Sequence, residues 1–282
     1  MSYDLSDAIL DAHLHLWDPG LRRYQWLDGL PALRRRFGPE DVDARPYELA
    51  GAIFVQADCR DEEALDEVRW VRDVARPLVR GIVAYAPVQR GREAAAALAA
   101  LAAEPLVVGV RRLLQGGPAD AILDPRLRDG VRLLPAYGLT FDLCVTHGQL
   151  AAVAELVAAC PETAFVLDHL GKPPVADGVL DPWRDDLARL ASFPNVACKL
   201  SGLATEAAPG WTAADVAPYL RHALAVFGPS RCMIGSDWPV VTLAGSMRAW
   251  FDAVVDVVGA LSAADRRAVL CGTAASVYGV DP

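Results

Sequence analysis

Eight short apolar runs recur along this chain, and longer helical patterns separate them. The runs are AILDAHLHL (8–16), GAIFVQA (51–57), VRGIVAYAPV (79–88), VVGVRRL (107–113), TFDLCV (140–145), AFVLDHL (164–170), VACKLSG (196–202) and RCMIGSDW (231–238). Near-continuous apolar strands that alternate with helices belong to a parallel sheet covered on both faces. Between them, RDEEALDEVRWVRDVA (60–75), GREAAAALAALAAEP (91–105), HGQLAAVAELVAACP (147–161), DVAPYLRHALAVFGP (215–229) and MRAWFDAVVDVVGAL (247–261) carry apolar residues at helical spacing or are rich in the best helix formers. Eight β/α units predict an α/β fold closed as a (β/α)8 TIM barrel. The competitor is an open doubly wound sheet, which the lack of a G-x-G-x-x-G after the first run weakens. A single domain over residues 1–282 is expected, with an unusually long connection, residues 17–50, after the first strand. Connections of that length in compact domains usually serve as lids or binding loops.

In such a barrel the chemistry gathers at the C-terminal ends of the strands. His13 and His15 lie on strand one, Gln56 and Asp58 end strand two, and Arg111 and Arg112 end strand four. His147 follows strand five, Asp168 and His169 end strand six with Lys172 just beyond, Lys199 and Ser201 sit on strand seven, and Asp237 ends strand eight. Four of the five histidines therefore map to one rim; His222, in a helix beside Arg221, reads as surface. Strand side chains alternate faces, so His13 and His15 point one way and Leu14 and Leu16 the other. Such a pair can hold one metal ion through neutral imidazoles or act as donors and proton carriers. Lys199, inside an apolar strand, must face a polar interior or pair with an acid.

The net charge of −9 argues against nucleic acid as a partner. The longest apolar runs fall short of the ~20 residues of a membrane span, and no signal-peptide pattern precedes the first strand. The six cysteines show no C-x-x-C spacing and read as free thiols, mostly buried, in a reducing cytoplasm. The sequence leaves room for a homo-oligomer.

Taken together, DAHLHLWDP, FDLCV, FVLDHLGKPP, NVACKLSGL and RCMIGSDWPV resemble the amidohydrolase superfamily, and within it the branch of sugar-lactone and pyrone-dicarboxylate lactone hydrolases. The resemblance implies a (β/α)8 barrel that opens a sugar lactone, an aldono-1,4- or 1,5-lactone, to the sugar acid. It implies His13, His15, His169 and Asp237 as catalytic residues, with Asp237 accepting the proton of the attacking water. Strand four has no lysine or glutamate that would bridge two metals, so a binuclear site is not expected; no metal, or one divalent ion (zinc before others) on His13, His15 and Asp237, is. Arg112 is the expected partner of the product carboxylate, because a guanidinium pairs bidentately with carboxylate oxygens. Gln56, Lys172, His147 and Trp26 are the other expected substrate contacts; Trp26, like Tyr24, would stack on the sugar face or pack the loop down. Two alternatives stay open: a metal-dependent decarboxylase of an aromatic or unsaturated acid on the same barrel, and a non-catalytic small-molecule-binding barrel.

Overall fold

The computed structural model describes residues 7–282. Eight parallel strands follow one another in chain order: β1 (Ile9–Leu14), β2 (Leu49–Val55), β3 (Val79–Tyr85), β4 (Val107–Leu113), β5 (Thr140–Cys144), β6 (Phe165–Leu167), β7 (Val196–Leu200) and β8 (Cys232–Ile234). The seam between β8 and β1 is closed by two backbone hydrogen bonds, Asp237 N–H to the His13 carbonyl (2.8 Å) and His15 N–H to the Trp238 carbonyl (2.7 Å). Asp11 staples the same seam, its carboxylate accepting the Ser236 and His13 amides. Gly235 lets the two strands approach, since a Cβ there would meet His13 Cβ at 2.8 Å. The (β/α)8 barrel expected from eight alternating units is the fold observed.

The helices bury one face each against the sheet. In Met247–Val258 the buried positions Met247, Trp250, Phe251, Val254 and Val258 follow helical spacing, and the Ser246 hydroxyl caps the first turn. Thr212 and Asp215 form a capping box that starts the helix Ala213–Phe227, and Gly228, at φ 76°, ends it. Helices at Pro125–Val131, Trp183–Ala191 and Thr273–Tyr278 were not anticipated. The last of these sends Ala274 and Tyr278 into the barrel among Leu10, Ala12, Ile53, Val83, Val166 and Met233.

Two strands fall furthest short of their apolar runs. The sixth stops at Leu167 instead of continuing to 170, and the eighth stops at Ile234 instead of 238. The residues that follow leave the ladder because the backbone turns left-handed at His169 (φ 54°), Leu170 (φ 54°) and Asp237 (φ 57°). The long first connection holds short turns at Gln25–Gly29, Pro31–Leu33 and Pro39–Asp41. It is tied down by reciprocal backbone bonds between Trp17 and Phe37 and by the Trp17 indole donating to Leu33 and Arg35 carbonyls. Among the described residues no helix is long and apolar enough to cross a membrane.

Candidate active site

A register shift lies between Asp11 and Leu14 in the pairing of β1 with β2. Leu10 and Ala12 face the interior before it; after it, His13 and His15 do, while Leu14 and Leu16 join the outer core. Both histidines thus project into the barrel at the C-terminal end of the strands. His15 Nδ1 lies 2.7 Å from the Val55 carbonyl, which can only accept, so Nδ1 carries the proton. His13 Nδ1 lies 3.2 Å from Asp168 Oδ1, an anion that favours the proton on the same nitrogen. The two Nε2 lone pairs then face one another at 3.1 Å, with Arg111 Nη1 approaching His13 Nε2 at 3.4 Å.

Asp237 completes the cluster. Its Oδ1 is 3.4 Å from His15 Nε2, 3.8 Å from His13 Nε2 and 4.0 Å from His169 Nε2. Burial works to raise the Asp237 pKa, but the neighbouring histidines outweigh it and hold the carboxyl well below the usual range. Burial also pushes His13 far below its ordinary value and His169 down to about 4. At neutral pH the Asp237 carboxylate therefore faces two imidazoles, His13 and His169, that burial keeps neutral. His169 reaches it through its left-handed backbone, with Nδ1 held 2.8 Å from Ser201 Oγ. Gly202, at φ 70°, makes room, since a Cβ there would meet the His169 ring at 2.4 Å.

One ligand atom each from His13, His169 and Asp237 lie within 4.8 Å of one another. Facing imidazole lone pairs beside a carboxylate repel unless a cation or proton sits between them, so this donor set fits a single divalent ion. The expected set of His13, His15 and Asp237 is thereby joined by His169.

Beneath the histidines lies a buried charge network. Asp168 Oδ2 accepts from Arg111 Nη1 at 3.0 Å, and Asp168 Oδ1 is 3.0 Å from Lys199 Nζ. Lys199 also donates to Asp142 at 2.6 Å, and the Tyr278 hydroxyl donates to the same Asp142 oxygen at 2.7 Å. Burial favours neutral Lys199, but Asp142 and Asp168 overcome it and keep the ammonium charged. The requirement that Lys199 face polar groups and pair with acids is met on both counts.

Above the cluster a cavity of about 270 Å³ is lined by His15, Trp26, Asp58, Arg111, His169, Lys172 and Asp237, with an apolar side made by Leu30, Leu113 and Val240. Trp26 is fixed by its indole N–H donating to the Ala57 carbonyl, whereas Tyr24 is buried beneath the loop. Lys172 reaches the cavity but pairs with Glu206 at 3.3 Å. Three expected contacts lie elsewhere. Arg112 turns outward, its guanidinium 5.5 Å from the Tyr85 ring; the inward arginine is its neighbour Arg111, because adjacent strand residues face opposite ways. Gln56 is buried, its carbonyl accepting from Arg111 and its side-chain oxygen from the Asp58 amide. His147 sits at the head of the next helix with Nδ1 on the Lys172 carbonyl. His222 lies on the outside, against the Arg184 carbonyl.

A family model described as amidohydrolase matches residues 10–280. An L-fucono-1,5-lactonase from Burkholderia ambifaria is 36% identical over 240 residues, covering 84% of this chain and 82% of its own length. Another L-fucono-1,5-lactonase, from Burkholderia multivorans, is 35% identical over 295 residues, 95% of both chains. The crystal structure of an amidohydrolase from Burkholderia multivorans with bound zinc superposes with a TM-score of 0.87 at 33% identity, covering 97% of this chain and all of that one. The match runs from the first strand of the barrel to its last helix, and on that ground this chain belongs to the amidohydrolase family.

Proposed function

We propose that this protein hydrolyses a sugar lactone to the corresponding sugar acid, with a 1,5-lactone as the first candidate. The observation that carries the reading is the buried Asp237 carboxylate, ringed by His13, His15 and His169 at the floor of a small cavity. The similarity to fuconolactonases supports the choice of substrate. At about 270 Å³ the cavity sits at or below the small end of ligand pockets, which suits a single sugar ring.

Opening a cyclic ester needs a base for water, stabilisation of the carbonyl oxygen as it gains charge, and a proton for the departing alkoxide. In this reading Asp237 takes the water proton and returns it to the ring oxygen, and general acid–base help of this kind contributes about 10²–10⁴-fold. Its low pKa keeps it available as a base through neutral pH. Arg111, with Nη1 3.4 Å from His13 Nε2, is a cation that stays charged beside the developing oxyanion. Asp168 holds the proton on His13 Nδ1, and Val55 does the same for His15, so both rings turn Nε2 toward the reacting centre. His13, His169 and Asp237, with His15 beside them, would hold one divalent ion, zinc by analogy with the zinc-bound relative; when bound it would polarise the lactone carbonyl. Trp26 and the apolar wall shield the ring from bulk water.

The test is acid release from L-fucono-1,5-lactone and a panel of aldono-1,4- and 1,5-lactones, followed with a pH indicator, before and after chelation and zinc replacement. Turnover that falls about 10²–10⁴-fold in a folded Asp237→Asn variant is expected. Inertness on every lactone, with carbon dioxide released from an aromatic acid, would overturn the reading in favour of a decarboxylase.

A further inference from the structure

Of the five non-glycine residues with left-handed backbone among the described residues, four line the same cavity: Asp58, His169, Lys172 and Asp237. Such conformations cost roughly 1–3 kcal/mol each, persist only where surroundings enforce them, and concentrate at functional sites. His169 and Asp237 belong to the cluster described above, and Lys172 is paired with Glu206. Asp58 has no part in that chemistry. Yet its position is enforced from several sides. Its amide donates to Gln56 Oε1 at 2.6 Å, the Gln56 carbonyl is held by Arg111 at 2.7 Å, and the intervening Ala57 carbonyl is held by Trp26 at 2.8 Å. The result is a carboxylate set on the cavity wall that makes no hydrogen bond and no ion pair of its own among the described residues. Burial raises its pKa while the charges of Arg111 and Arg112 oppose the rise.

The cations of the cavity are already compensated: Arg111 by Asp168, Lys172 by Glu206. Among the described residues, neither cationic side chain lining the cavity is left without an acid, and Asp58 would repel a substrate carboxylate. What an acceptor-only group on a cavity wall recognises is a donor, and a carboxylate's two oxygens suit the two O–H donors of neighbouring hydroxyls. Resting on the lactonase reading, we propose that Asp58 is the specificity residue of this site: it accepts hydrogen bonds from ring hydroxyls and selects neutral polyhydroxylated lactones over lactones that carry an acid group.

The experiment compares wild type with Asp58→Asn, chosen because asparagine tolerates left-handed backbone and keeps the shape of the side chain. Both are assayed on L-fucono-1,5-lactone and on unsubstituted δ-valerolactone. The expected result is a fall of about 10–100-fold in the ratio of kcat/KM for the sugar lactone over that for δ-valerolactone, carried by KM, as for loss of a charged hydrogen bond. Binding of a non-hydrolysable 1,5-anhydroalditol, measured by titration calorimetry, is expected to weaken about tenfold. Equal losses on both lactones, or a loss confined to kcat, would overturn the proposal while leaving the lactonase reading intact. A wild type inert on both lactones would sink the lactonase reading; equal anhydroalditol affinity in the two proteins would then sink the role of Asp58 as well.

Discussion

Leu10 and Ala12 occupy the barrel interior near the start of β1, and His13 and His15 occupy it immediately afterwards. The same succession repeats around the barrel: Val166 before Asp168, Ala197 before Lys199, Met233 before Asp237. One layer is dry and apolar, closed by Ala274 and Tyr278; the layer above it is charged, and both are buried. The first gains stability from removal of apolar surface, about 1.5–3 kcal/mol per large side chain. The second gains little net stability, since desolvating Lys199, Arg111, Asp142 and Asp168 costs about what their pairing returns. What it supplies is orientation: Asp168, held by two cations, fixes the face that His13 turns to the cavity. The difference teaches that one set of strands can devote its first residues to folding and its last ones to chemistry.

Substitutions can break this comparison at either layer. Lys199→Met should do the most damage, because it strands Asp142 and Asp168 without their shared cation; a loss of about 3–5 kcal/mol is expected in urea unfolding. Adding Asp142→Asn to that variant should recover part of the loss, and a single variant as stable as wild type would mean the charges do not depend on one another. Met233→Ala should cost about 2–5 kcal/mol through the cavity it leaves, with kcat/KM of the folded protein retained. Catalytic loss in that variant at a temperature where it is fully folded would show that the two layers are not separable. Arg112→Gln should have the smallest effect, about 0.5–1 kcal/mol of stability from its contact with Tyr85. A large rise in KM there would return the guanidinium to the substrate.

Much of this was legible beforehand, for physical reasons. Eight apolar runs at barrel spacing admit few other folds, and His13, His15, His169 and Asp237 stand out because polar groups inside apolar runs need a purpose. The choice between Arg111 and Arg112 was not legible: both end β4, and only the parity of the strand decides which faces in. The left-handed turns at Asp58, His169 and Asp237 leave no trace in composition, since none is a glycine, so the sixth and eighth strands read too long. Lys199 announced a need for partners, but those partners come from other strands, Asp142 and Asp168, and from Tyr278 on the final helix. The helix Trp183–Ala191 went unread behind Pro182, though Trp183, Leu187 and Leu190 share one buried face.

The seam where Asp237 donates its amide to the His13 carbonyl joins residues more than two hundred positions apart. During synthesis, at roughly 5–20 residues per second, the histidine pair leaves the ribosome on the order of ten seconds or more before its carboxylate is made. Throughout that interval the nascent protein carries the histidine pair without the carboxylate that faces it in the folded barrel. The cluster is therefore assembled in a single event, when the eighth strand docks against the first, and an unfinished copy of the chain holds only part of it.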